Sequence, residues 1–98
     1  MDKQDVFDKL KETLLKDKIA KEKGCKWAYG GIYMMCFQIK GFKHWIKIRG
    51  NNFLYVLKGK WLSSATVVAL SDLTNLDVKG KIKEVKKALK LIKVLEGV

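Results

Sequence analysis

An α+β domain is predicted for this chain: a three- to four-stranded antiparallel meander with an N-terminal and a C-terminal helix packed on one face. Three observations predict it. Apolar residues recur at helical steps near both ends, as Val6, Phe7, Leu10 and Leu14 and again as Val78, Ile82, Val85, Leu89 and Ile92. Between those ends lie short runs with strand character, separated by turns that carry glycine or asparagine. The apolar fraction is 48 % over 98 residues, which suits one small core better than a disordered tail. Residues 1–98 are therefore taken as a single compact domain without linker or internal repeat.

The first helix is expected over about 3–22. Asp2 serves as its N-cap, Asp5 lies in the first turn where the helix dipole favours an acid, and Gly24 is the natural stop. Val6, Phe7, Leu10, Leu14 and Ile19 form its apolar face. The pairs Asp5–Lys9, Asp8–Lys11 and Glu12–Lys16 mark a solvated outer face.

Residues 32–39 and 42–49 are expected to form a hairpin around Lys40-Gly41 as a two-residue turn. That register pairs Ile39 with Phe42, Phe37 with His44, Met35 with Ile46 and Tyr33 with Ile48 on one apolar side. The opposite side then pairs Gln38 with Lys43, Cys36 with Trp45, Met34 with Lys47 and Ile32 with Arg49. Lys43, Trp45, Lys47 and Arg49 form a row on that second side. Lysine before the turn glycine is not the favoured Asn-Gly, which leaves room for a bulged turn.

Gly50-Asn51-Asn52 is the next turn, and Phe53 to Lys58 the next strand. A two-residue loop would turn Phe53, Tyr55 and Leu57 to the core. A three-residue loop would turn Tyr55 to the side of Trp45. Lys58-Gly59-Lys60 reads as a further turn. Thr66 to Leu70 fits either a last strand or a short buried helix. The second helix runs from an N-cap at Asp77 to an end at Gly97. Lys79, Lys83, Lys86, Lys90 and Lys93 flank its apolar stripe, where long lysine stems border a buried face. Ala88, Leu91 and Leu95 widen the apolar arc and are expected as a dimer contact.

Charge narrows the function. There are 21 lysines and arginines against 10 acids, a net charge of +11. Residues 1–23 carry +1, residues 24–61 carry +7, residues 62–78 carry −2 and residues 79–98 carry +5. From Gly24 to Ser71 there is no carboxylate. General acid–base, two-metal and glycosidic chemistry all need positioned carboxylates, and no phosphate-binding glycine loop is present. A non-enzymatic protein without cofactor is expected. Cys25, Cys36 and His44 are one short of the four ligands of a structural zinc site and lack a C-x-x-C pair, so no metal is expected. A Cys36–His44 nucleophilic pair is weighed against a buried thiol beside a core imidazole, and the second fits how free cysteine is usually placed.

Nine of the ten aromatic residues also fall between Trp27 and Trp61. Aromatics among lysines fit a sheet face that binds nucleic acid, with lysines on phosphates and rings on unpaired bases. The expected contacts are Lys26, Lys43, Trp45, Lys47, Arg49, Lys58 and Lys60, with Trp27 and Trp61 as further aromatic candidates. Only one of the 21 basic residues is arginine, which points to backbone contacts of low sequence specificity, on single or double strands. The alternative is a small homodimeric protein-interaction module, such as a viral or mobile-element factor that binds a host protein, whose lysines serve solubility and stability. The N-terminus lacks the apolar core of a signal peptide. The longest uncharged run, Trp27 to Ile39, is shorter than the ~20 residues of a spanning helix. A cytoplasmic location without integral membrane association is expected.

Overall fold

The computed structural model describes residues 3–16, 20–28, 32–39, 41–50, 52–60 and 64–97. Its elements in chain order are α1 (Lys3–Lys16), β1 (Ala20–Ala28), β2 (Ile32–Ile39), β3 (His44–Arg49), β4 (Phe53–Lys58), β5 (Thr66–Asp72) and α2 (Val78–Leu95). The strands form one antiparallel sheet in the order β1-β2-β3-β4-β5. The α+β meander bracketed by two helices is therefore present, with one strand more than the three or four expected.

The extra strand comes from the segment assigned to the first helix, which ends at Lys16 instead of near residue 22. Ile19 stands five residues after Leu14, off the three- or four-residue step that keeps a helix face buried. Ala20–Ala28 instead pairs with β2 from Ala20 opposite Ile39 to Ala28 opposite Ile32, with a bulge between Glu22 and Gly24.

The β2–β3 register also differs from the expected one. Phe37 lies opposite Ile46 rather than His44, Met35 opposite Ile48, Cys36 opposite Lys47 and Gln38 opposite Trp45. The connection is longer than Lys40-Gly41 because Glu96, at the end of α2, captures the backbone N–H groups of both Lys43 and His44, at 2.7 and 2.8 Å. Those two donors are thereby taken from the ladder, and the hairpin opens two residues early. A two-residue slip preserves which side each residue faces, so His44, Ile46 and Ile48 share one face and Trp45, Lys47 and Arg49 the other.

The β3–β4 connection is the three-residue loop. Arg49 lies opposite Phe53, Lys47 opposite Tyr55 and Trp45 opposite Leu57. Gly50 has a φ of 58° and Asn52 N–H donates to Arg49 O at 3.1 Å. A glycine bears such a dihedral without the clash a Cβ would bring. Residues 66–72 form a strand, paired with β4 across an irregularity at Val56/Leu57.

Both helices lie on the face of His44, Ile46 and Ile48. Val6, Leu10 and Leu14 of α1 and Val85, Ala88, Leu89 and Ile92 of α2 share one core with Phe37, Ile46, Ile48, Leu54 and Val56. Truncating such a buried leucine to alanine costs about 2–5 kcal/mol. Of the apolar stripe expected for α2, Val85, Leu89 and Ile92 are buried, and Val78 and Ile82 pack partly buried against the same core. Asp77 caps this helix by accepting Gly80 N–H at 2.7 Å, and Gly97 closes it with a φ of 74°. Ala88 is 6 % exposed within this core, so it offers almost no surface of its own for the dimer contact expected there. Leu91 packs against the edge of the same core, while Leu95 is exposed.

Candidate functional site

The second sheet face carries the expected functional residues, and it splits into a sealed part and an open part. Trp45 is 2 % exposed. It packs with Cys36 and Leu57, flanked by Tyr55 and Ala65, and its Nε1–H donates to Gly59 O at 3.0 Å. The sequence expectation of Trp45 as an exposed stacking ring is therefore overturned. The chain after β4 folds back over it, and a tryptophan whose N–H finds a main-chain acceptor is well suited to burial. Gly59 makes this lid practicable. Its φ is 147°, and a Cβ there would lie 2.9 Å from Ala65 Cα.

Beyond the lid the face is open. Lys47 Nζ lies 4.5 Å from the centroid of the Tyr55 ring, one rung along from Trp45, in cation–π range. Arg49 is exposed and stands opposite Phe53, which is 36 % exposed. Two successive rungs thus pair a cation with an aromatic ring, the Lys47–Tyr55 rung half-buried against the Trp45 cluster and the Arg49–Phe53 rung exposed. Tyr55 comes here because of the three-residue loop; Phe53, two residues earlier on the same strand, follows it. Phe53 was legible as a second-face ring only once that loop length was known.

The other expected cations are placed elsewhere. Lys58 is exposed opposite His44, and alternation along β4 puts it on the helix side of the sheet. Lys43 and Lys60 are exposed in the loops at the same end, where Gly59 N–H reaches Lys43 O at 3.4 Å. Lys43, Lys58 and Lys60 therefore form a basic end of the sheet, apart from the Lys47–Arg49 row. Lys26 lies in β1 opposite Met34; its side chain and that of Trp27 lie outside the described residues, as does Trp61. The lysines of the α2 stripe at 79, 83, 86 and 90 are exposed.

Two carboxylates border these surfaces. Asp72, opposite Phe53 in β5, accepts from the Thr74 hydroxyl and backbone N–H, and these bonds hold its carboxyl below the usual aspartate range. Glu96 sits at the basic end; the hydrogen bond to His44 foremost, then the backbone N–H groups of His44 and Lys43, hold it below the usual glutamate range against the effect of burial.

Cys36 and His44 face opposite sides of the sheet, Cys36 in the cluster of Trp45 and His44 against Glu96. The geometry therefore separates the two as nucleophile and base. Among the described residues there is no group of three or more histidine, cysteine, aspartate or glutamate side chains placed to hold a metal ion. None of their helices is long and apolar enough to cross a membrane.

No family model matches the chain, and neither a curated protein nor a solved structure matches it.

Proposed function

We propose that this protein binds nucleic acid without catalysing a reaction, through backbone contacts of low sequence specificity on the open part of its second sheet face. The observation that carries the reading is the pair of cation–aromatic rungs, Lys47 with Tyr55 and Arg49 with Phe53, on the face that neither helix covers. Lys47 and Arg49 neutralise phosphates and release counterions. Tyr55 and Phe53 take the stacking role first assigned to Trp45. Lys43, Lys58 and Lys60 extend the positive field past the end of the sheet. A net charge of +11 favours any polyanion. A reducing, cytoplasmic setting fits the buried Cys36 thiol.

The test is a salt titration of binding to single- and double-stranded oligonucleotides. With ~4 phosphates engaged, the log–log slope is expected near −3 to −4. Replacing Lys47 and Arg49 together by alanine should flatten that slope by about 2. Tyr55→Ala should weaken single-strand binding more than duplex binding. An absence of binding at low salt sinks the proposal. The homodimeric reading has its own supporting observation, the character of β5.

A further inference from the structure

The two edges of the sheet are unlike. β1, at one edge, reads AKEKGCKWA, with three lysines and a glutamate. Charged residues, lysine above all, are how proteins keep an edge strand from pairing with another chain. β5, at the other edge, reads TVVALSD, with no lysine in a chain that has 20, no proline, and Asp72 as its one charge. Val67 is 53 % exposed, Val68 41 % and Leu70 57 %. The backbone is open as well. Leu73 N–H bonds inward to Asn52 O at 2.6 Å, and antiparallel alternation then turns the main-chain groups of Leu70 and Asp72 outward.

We propose that β5 pairs antiparallel with β5 of a second copy, so that the chain is a two-fold dimer through this edge. This goes beyond nucleic-acid binding and uses different residues. A second copy is the occupant that the charge pattern selects. Two chains of +11 repel, and residues 62–78 are the one stretch with a negative net charge, −2. The two β5 edges therefore approach at the least repulsive part of the molecule, and each offers its own exposed apolar row to the same row of the other. A two-fold contact is self-complementary and closes, and the charged β1 edge prevents growth at the far side. The register that sets Leu70 against Leu70 of the partner centres the contact on the most exposed apolar residue of β5 and leaves Asp72 at its ends, opposite Val68 at the bulge; centring on Ser71 would set Asp72 against Leu70 itself. The bulge at Val68 leaves Ala69–Ser71 regular at the centre of this pairing. On the helix side a groove of about 340 Å³ runs beside β5, with Ala69, Leu91 and Val94 in its apolar lining and Glu84, Lys87 and Lys90 along it as charged groups. Val94 is 74 % exposed there, placed to meet the second copy's α2. The arrangement joins the two second faces into one surface.

Sedimentation equilibrium of the full chain without nucleic acid tests this. A concentration-dependent dimer is expected. Leu70→Lys and Leu70→Glu, both at an exposed position and checked for folding by circular dichroism, should each weaken the dimer about ten-fold or more by setting like charges opposite. An equimolar mixture of the two should form a heterodimer. Slowed hydrogen exchange at Leu70 and Asp72 on dimerisation should accompany it. A wild-type chain that stays monomeric at ~1 mM overturns the proposal, as does undiminished dimerisation of either variant or failure of the mixture to pair. Because no nucleic acid is present, this outcome is independent of the salt titration.

Discussion

His44 and Glu96 join the two layers of the fold at one point. His44 Nδ1 lies 2.5 Å from Glu96 Oε1, and the same oxygen accepts the N–H groups of Lys43 and His44. The carboxylate that ends α2 thus supplies acceptors where the β2–β3 ladder stops, and the imidazole, 7 % exposed, is satisfied inside the core margin.

This contact sets an acid sensitivity. The folded pKa of Glu96 is lowered, so its contribution is complete above the unfolded value of 4.5 and is lost as pH falls through the folded value. Glu96→Gln should lower the melting temperature at pH 7 and should lose less further stability than wild type below pH about 4.5. Parallel pH–melting curves for the two proteins would contradict the assignment.

Trp45 should behave as a core residue. Trp45→Ala is expected to cost about 3–5 kcal/mol by urea denaturation. Trp45→Phe, which keeps most of the packing but loses the bond to Gly59 O, should cost less and leave oligonucleotide affinity unchanged. A phenylalanine variant that folds but no longer binds would return the ring to the binding surface.

Gly59 should tolerate no side chain. Gly59→Ala meets backbone at Ala65 and a dihedral that L residues avoid, and should lose about 1–3 kcal/mol. The same substitution should make Trp45 fluorescence more accessible to iodide, since the lid carries the acceptor of its N–H. Gly41→Ala, with nothing within 4 Å of its Cβ, is the control for positive φ alone.

Asp77→Ala removes the acceptor of Gly80 N–H and should cost about 0.5–2 kcal/mol. Hydrogen exchange should rise first in the opening turn of α2. Unchanged exchange there would show that tertiary packing, not the cap, secures the helix start.

What could be read from the letters was what a short stretch decides by itself. The α2 stripe, its Asp77 cap and the two-sided partition of His44–Arg49 follow from periodicity, and all three are present in the fold. The β2–β3 register was not legible, because it turns on Glu96, more than fifty positions away from Lys43 in sequence. The end of α1 was missed because Lys21, Glu22 and Lys23 suit an edge strand as well as a helix surface. Trp45 was misplaced for a related reason. Alternation tells which side of a sheet a residue faces but not whether a later loop will return to cover that side.

The order of pairing carries a consequence for folding. Each sheet contact joins strands adjacent along the chain, while α1 meets α2 across the whole sequence. Hairpins of neighbouring strands close quickly, and a contact between distant segments closes later. During that interval Phe37, Ile46, Ile48, Leu54 and Val56 lack their helical roof, and mutual repulsion of the lysine-rich chains keeps such half-built sheets apart. Refolding at high salt should therefore lose yield to aggregation before the native state loses stability.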